Sequence, residues 1–158
     1  MKIPSARAVR QLSLLAAGVL AGQALCLPAY ATLGEDFTTV ENDRVQMKAQ
    51  LRTTAAAGYT VHEIQTPTRT VVREYVSAAG KVFAVSWEGP VLPDFRQMLG
   101  RYFEEYHSRA GSPRVGRRAL VIEGSDLVVH SHGRMRAFHG NAYVQSLLPP
   151  NFSVDQIK

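Results

Sequence analysis

Two histidines one residue apart, His130 and His132, sit in the β-rich run Asp126-Leu-Val-Val-His130 and its continuation. On a strand such a pair points to one face, which is half of a zinc site, since Zn²⁺ takes three or four ligands. Completion depends on the next turn. If Gly133 makes it, His139 falls opposite Asp126, four residues or roughly 13 Å from the level of His130, too far for one ion. His62 and His107 are far away in the chain. The metal candidates are therefore His130 and His132, and the competing reading is a polar pair at a hairpin end.

Glu74 is the candidate general acid. Alternation along its strand puts it beside Val72 and Val76, on the face expected for Phe83, Val85 and Trp87. Desolvation there would raise a carboxyl pKa, as a general acid requires, whereas a salt bridge or outward position would leave it structural. Arg114, Arg117 and Arg118 form the basic cluster, on a Gly/Pro loop before a strand. Arginine forks there suit anions such as lipid headgroups, lipopolysaccharide phosphates or acidic glycans. No Gly-x-Ser-x-Gly elbow and no phosphate-cradling glycine loop is present, and Gly124-Ser125-Asp126 reads as turn chemistry. No cofactor is predicted.

The elements that must hold these residues follow from periodicity. Residues 59–64, 69–76 and 81–87 alternate and are rich in β-formers, separated by Pro67-Thr68 and Ala78-Ala79-Gly80, which predicts an antiparallel meander. Phe95, Met98, Leu99, Tyr102, Phe103 and Tyr106 then fall on one helical stripe, so a helix is expected over about 93–108, with Pro93 and Asp94 in its first turn. Glu104 and Glu105 belong to its solvated side. Strands return at 119–123 and 126–130, joined by a type II′ turn at Gly124-Ser125, and a further strand includes Arg134–Phe138. Residues 32–57 resist assignment: Asn42-Asp43 suits either a short helix or an edge strand, and Thr53–Gly58, with three alanines, reads as a connector. The expected fold is α+β, an antiparallel sheet of five to seven strands in two meanders with one amphipathic helix on one face. Trp87, Tyr59, Tyr75 and Phe83 read as core.

The chain has 158 residues, 18 Lys+Arg against 13 Asp+Glu, a net charge of +5 and one cysteine. An internal disulfide and a CxxC site are thereby excluded. Lys2, Arg7 and Arg10 precede an apolar stretch from Leu12 to Leu27, then Pro28 and Ala29-Tyr30-Ala31, the order of a secretory signal peptide. Cleavage is expected after Ala31, leaving residues 32–158 as one globular domain in the periplasm or outside the cell. A lipoprotein anchored at Cys26 fits less well, because Leu25 and Gln23 stand where small and aliphatic residues are preferred. Loss of Lys2, Arg7 and Arg10 lowers Lys+Arg from 18 to 15 against 13 Asp+Glu, a net +2. A nucleic-acid partner loses its electrostatic basis at that charge.

The runs Val61-His-Glu-Ile64, Val72-Arg-Glu-Tyr-Val-Ser77, Gly80-Lys-Val-Phe-Ala-Val-Ser-Trp-Glu-Gly-Pro90, Pro93-Asp94, Leu99-Gly-Arg-Tyr-Phe103, Asp126-Leu-Val-Val129 and Arg134-Met-Arg-Ala-Phe138 together resemble the DUF2844 family. The likeness covers Leu33 to Leu148. It implies a small exported proteobacterial protein of one domain and of unknown function, and it carries over no catalytic or binding residue. The expectation is a non-enzymatic binding or structural module that meets an envelope component (anionic lipid, glycan or protein), with no transmembrane span after cleavage. The alternative is a small envelope enzyme using Glu74 or a His130/His132 site, the latter with a metal ion.

Overall fold

Alternating β-formers and the helical stripe assemble into one layer of sheet and one layer of helix. The computed structural model describes residues 33–111 and 119–158. The segment expected as a signal peptide, with Cys26, and the cluster Arg114, Arg117 and Arg118 lie outside the described residues. Seven strands form a single antiparallel sheet: β1 (Gln50–Ala56), β2 (Tyr59–Gln65), β3 (Val71–Ser77), β4 (Val82–Gly89), β5 (Ala119–Glu123), β6 (Leu127–Arg134) and β7 (Ala137–Val144). Their order is β1-β2-β3-β4-β7-β6-β5, so two meanders meet along β4 and β7. The α+β expectation holds, at the upper end of the strand count.

The ambiguous N-terminal stretch divides in two. Val40–Gln46 forms α1, and the alanine-rich run expected as a connector is instead most of the edge strand β1, in register with β2 from Gln50↔Gln65 to Ala56↔Tyr59. Alanine has weak β-propensity, but pairing to a neighbouring strand overrides it.

The helical run begins where expected. The Asp94 carboxylate caps it, accepting the Arg96 N–H at 2.8 Å and the Gln97 N–H at 3.4 Å. It proceeds as α2 (Phe95–Leu99), a 3₁₀ turn over Gly100–Tyr102, and α3 (Phe103–Ala110). Gly100 sits in the left-handed region, at φ 48°, and there the run bends while keeping its apolar stripe toward the sheet. Phe95, Met98, Leu99, Phe103 and Tyr106 pack with Ile64, Val72, Val85, Trp87 and Val129 on this first face, joined by Leu33 and Val40 from the N-terminal segment. Complete burial of side chains such as Leu99, Val129 or Trp87 contributes about 1.5–3 kcal/mol each.

A second, smaller cluster occupies the opposite face. Tyr59, Tyr75, Phe83 and Ala84 are covered there by Leu147, Leu148, Phe152 and Ile157 of the C-terminal segment. Phe83 thus belongs to the second face, not to the face of Val85 and Trp87 as its position in an unbroken strand would require. The pairing explains the flip: Tyr75 faces Ala84 and Val76 faces Val82, so Phe83 is the extra residue of a β-bulge.

Candidate functional site

The second face is divided. One part, from Tyr59 to Phe83, is sealed by the C-terminal segment, whose last main-chain groups are held by side chains of the sheet. Tyr75 Oη accepts the Lys158 N–H at 2.9 Å, and the Lys158 carbonyl oxygen accepts from Tyr75 at 3.2 Å, Ser86 at 2.5 Å and Arg73 at 3.3 Å. The other part, carried by β4, β7, β6 and β5, is not covered by that cluster. Two rows of cross-strand partners run across it: Ser86–Asn141–His130–Val121 and Glu88–His139–His132–Ala119.

His130 and His132 do share a face, as their spacing requires. His139, expected far away, is the direct partner of His132. Their rings stack with centroids 5.6 Å apart and planes at 16°. The expectation failed on the turn. The chain reverses at Met135–Arg136, with Arg134 paired to Ala137, and Arg136 itself adopts the left-handed conformation at φ 64°. Gly133 remains inside β6, where a Cβ would come within 2.6 Å of Phe138 Cδ1. It is glycine for packing and not for turning. Asp126, the residue expected opposite His139, instead accepts the Ser146 N–H at 2.8 Å and the Ser146 hydroxyl at 2.7 Å.

His130 is partly buried and leans toward Tyr143, ring centroids 6.5 Å apart, while His132, His139 and Glu88 are exposed. Asn141, across from His130, has a buried side-chain oxygen with no hydrogen-bond partner among the described residues. Val121, on the other side of His130, is a 53% exposed apolar residue. Among the described residues no three His, Cys, Asp or Glu side chains converge on a point that one ion could occupy. Sequence reasoning missed His139, Asn141 and Glu88. The parity of the run Ala137–Val144, which places His139, Asn141 and Tyr143 on one side, was the available signal.

Glu74 lies on the first face, only 1% exposed, in the row Thr53–His62–Glu74–Val85. Next to it, His62 Nδ1 is 3.1 Å from Thr53 Oγ1, and partial burial holds the His62 imidazole below its usual pKa. A general acid must reach a substrate atom, and Glu74 is buried on the strand face it shares with Val72, Val76 and Val85. Glu105 is also not simply solvated. It accepts the Ser125 N–H at 3.2 Å and lies 3.6 Å from Arg109. Gly124 is not in the left-handed region that the expected type II′ turn requires, and a Cβ there would meet the Leu127 carbonyl oxygen at 2.8 Å as well as the Glu105 carboxylate.

The family model for the protein of unknown function DUF2844 matches residues 29–157. The chain belongs to the DUF2844 family. The match extends past the strands through Ile157, so the C-terminal segment that seals half of the second face is part of what the DUF2844 model spans. No curated protein and no solved structure matches the chain. Among the described residues of this DUF2844 chain no helix is long and apolar enough to cross a membrane.

Proposed function

We propose that this DUF2844 chain is an exported, non-enzymatic binding module of the bacterial envelope, and that it meets its partner through the half of the second sheet face that is exposed among the described residues. One observation carries the binding reading. Leu147, Leu148, Phe152 and Ile157 close the aromatic half of that face, while on the other half histidines, Asn141, Glu88 and Val121 from four strands lie side by side, with His132, His139, Glu88 and Val121 exposed among the described residues. Side chains on paired interior strands are held by the ladder on both sides, which suits a preorganised binding surface. Export rests on the basic segment, apolar stretch and Ala29-Tyr30-Ala31 of the first 31 residues. The buried position of Glu74 favours binding over acid catalysis at that residue. The sequence cluster Arg114, Arg117 and Arg118, outside the described residues, supplies a second, anion-directed contact in this reading.

Two measurements test it. Fractionation of source cells with intact-mass analysis should find a chain beginning at Thr32 in the periplasmic or extracellular fraction. A cytoplasmic chain retaining residues 1–31 overturns export, and a lipid-modified Cys26 replaces it with membrane anchoring. A photo-crosslinking amino acid at position 121 should then trap an envelope component in living cells, whereas one at exposed position 45 on α1 should not. Equal trapping at both positions, or none at 121, overturns the choice of face.

A further inference from the structure

We propose that His130, His132 and His139 form a three-imidazole site for one divalent transition-metal ion, Zn²⁺ serving as the probe. The proposal deepens the open-face reading above by giving that face a ligand class. Its basis is the corrected register. His130 and His132 are two apart on β6 with side chains to one face, and His139 is the residue directly opposite His132 on β7. Directly opposed side chains start about 4.5–5.5 Å apart at Cβ, and the diagonal from His130 to His139 is about 7–8 Å. A tetrahedral ion with Zn–N bonds of ~2.0–2.1 Å needs ligating nitrogens about 3.4 Å apart, a gap that imidazoles on such a triangle span from their Cβ atoms.

In this structure the rings are arranged otherwise. His132 and His139 stack at 5.6 Å and His130 leans on Tyr143. Convergence requires rotation about side-chain bonds and no change of backbone, and the two stacked rings are exposed. The backbone itself is fixed, because β6 and β7 are both interior strands paired on each side.

The surroundings fit a metal-bound imidazole. A ligating histidine donates its other ring N–H to an acceptor, which fixes the tautomer. The buried Asn141 oxygen across from His130 is an acceptor with no partner among the described residues. The charges facing the cluster nearly cancel: Glu88 lies across from His139, and Arg134 is two residues beyond His132 on the same face. Three imidazoles leave the fourth position of a tetrahedral ion open to water or to a donor on the envelope partner.

The test uses tag-free mature chain titrated with Zn²⁺ alone, by calorimetry and by the ring-nitrogen NMR signals of the histidines. A 1:1 complex with Kd of about 10 μM or tighter is expected, with ring signals of His130, His132 and His139 shifted together. His132→Gln and His139→Gln should each weaken binding by more than ~100-fold, beyond what loss of an outer-shell partner costs, with the circular dichroism unchanged. His107→Gln, on exposed α3, should leave affinity unaltered. Absence of a 1:1 complex tighter than about 100 μM, or binding that survives His139→Gln, overturns the site. That failure is separable from failure of the open-face reading, because crosslinking at position 121 reports on the face without added metal.

Discussion

Trp87 lies across the main chain of Gly140 in the central strand pair β4–β7. The two are direct cross-strand partners, and a Cβ on Gly140 would run into the indole ring and the His130 carbonyl oxygen. Glycine here makes room for the largest buried side chain of the first face, which also meets Phe95 edge-on at 5.0 Å. Gly140→Ala is therefore expected to destabilise the fold by about 1–3 kcal/mol through overpacking, read as a lower urea midpoint with unchanged m-value. An unchanged midpoint would mean that the indole has somewhere else to go.

The C-terminal segment should behave as part of the fold. Phe152 packs edge-on against Phe83 at 4.8 Å and Tyr59 at 5.1 Å, and Tyr75 Oη both accepts from and donates to the Lys158 main chain. Phe152→Ala should cost about 3 kcal/mol as a large-to-small core change. Tyr75→Phe should cost about 1 kcal/mol, the net worth of a hydrogen bond. Hydrogen exchange separates the two effects. Tyr75→Phe should raise exchange only near residues 157–158, while Phe152→Ala should raise it across the whole segment after β7.

Much of the fold was legible because its signals are local. The stripe from Phe95 to Tyr106 specified the helix, and the alternation of Val71–Ser77 and Val82–Gly89 specified strands. The site was half legible for a reason of the same kind. The shared face of His130 and His132 is a property of one strand, but the partnership of His132 with His139 is set by which residue turns. A glycine at 133 outweighed an arginine at 136 in the sequence, yet the packing of Phe138 claims that glycine and leaves Arg136 in the left-handed region. Phe83 was misplaced similarly, since a one-residue bulge is a matter of pairing: it puts the neighbours Phe83 and Ala84 on the same face with no mark in the local sequence pattern. The near-complete burial of Glu74 is likewise tertiary.

His62 supplies a pH dependence. Burial lowers its folded-state pKa from the usual 6.5, so between the two values the unfolded chain binds more protons than the folded one. Its contribution is complete above about pH 6.5 and is lost as pH falls through the lowered folded value. The groups beside it are Thr53, whose hydroxyl is 3.1 Å from Nδ1, and Glu74 on β3. His62→Gln keeps a hydrogen-bonding side chain and removes the titration. Denaturant midpoints from pH 8 to pH 5 should fall less steeply in the variant than in the parent chain, by at most about 1.4 kcal/mol per pH unit for one group. Parallel profiles would show that His62 is equally protonated in the folded and unfolded chains.

The turn that brings His139 to His132 offers the sharpest structural test, because its two candidate glycine positions respond in opposite directions. Arg136 holds φ 64°, a conformation that costs a non-glycine residue roughly 1–2 kcal/mol. Glycine relieves that strain and returns part of the gain as unfolded-state entropy, about 0.5–1 kcal/mol. Arg136→Gly should consequently stabilise the chain by about 0.5 kcal/mol or slightly more, raising the thermal midpoint. Gly133→Ala should do the reverse, since its Cβ would press on Phe138 and on the Ala137 carbonyl oxygen, with a loss of about 1–3 kcal/mol. If the turn were centred on Gly133, only one sign would change: alanine at 133 would still destabilise, now through backbone strain, whereas glycine at 136, inside a strand, would destabilise instead of stabilising. The sign of the Arg136→Gly change therefore fixes the register on which the three-histidine site depends.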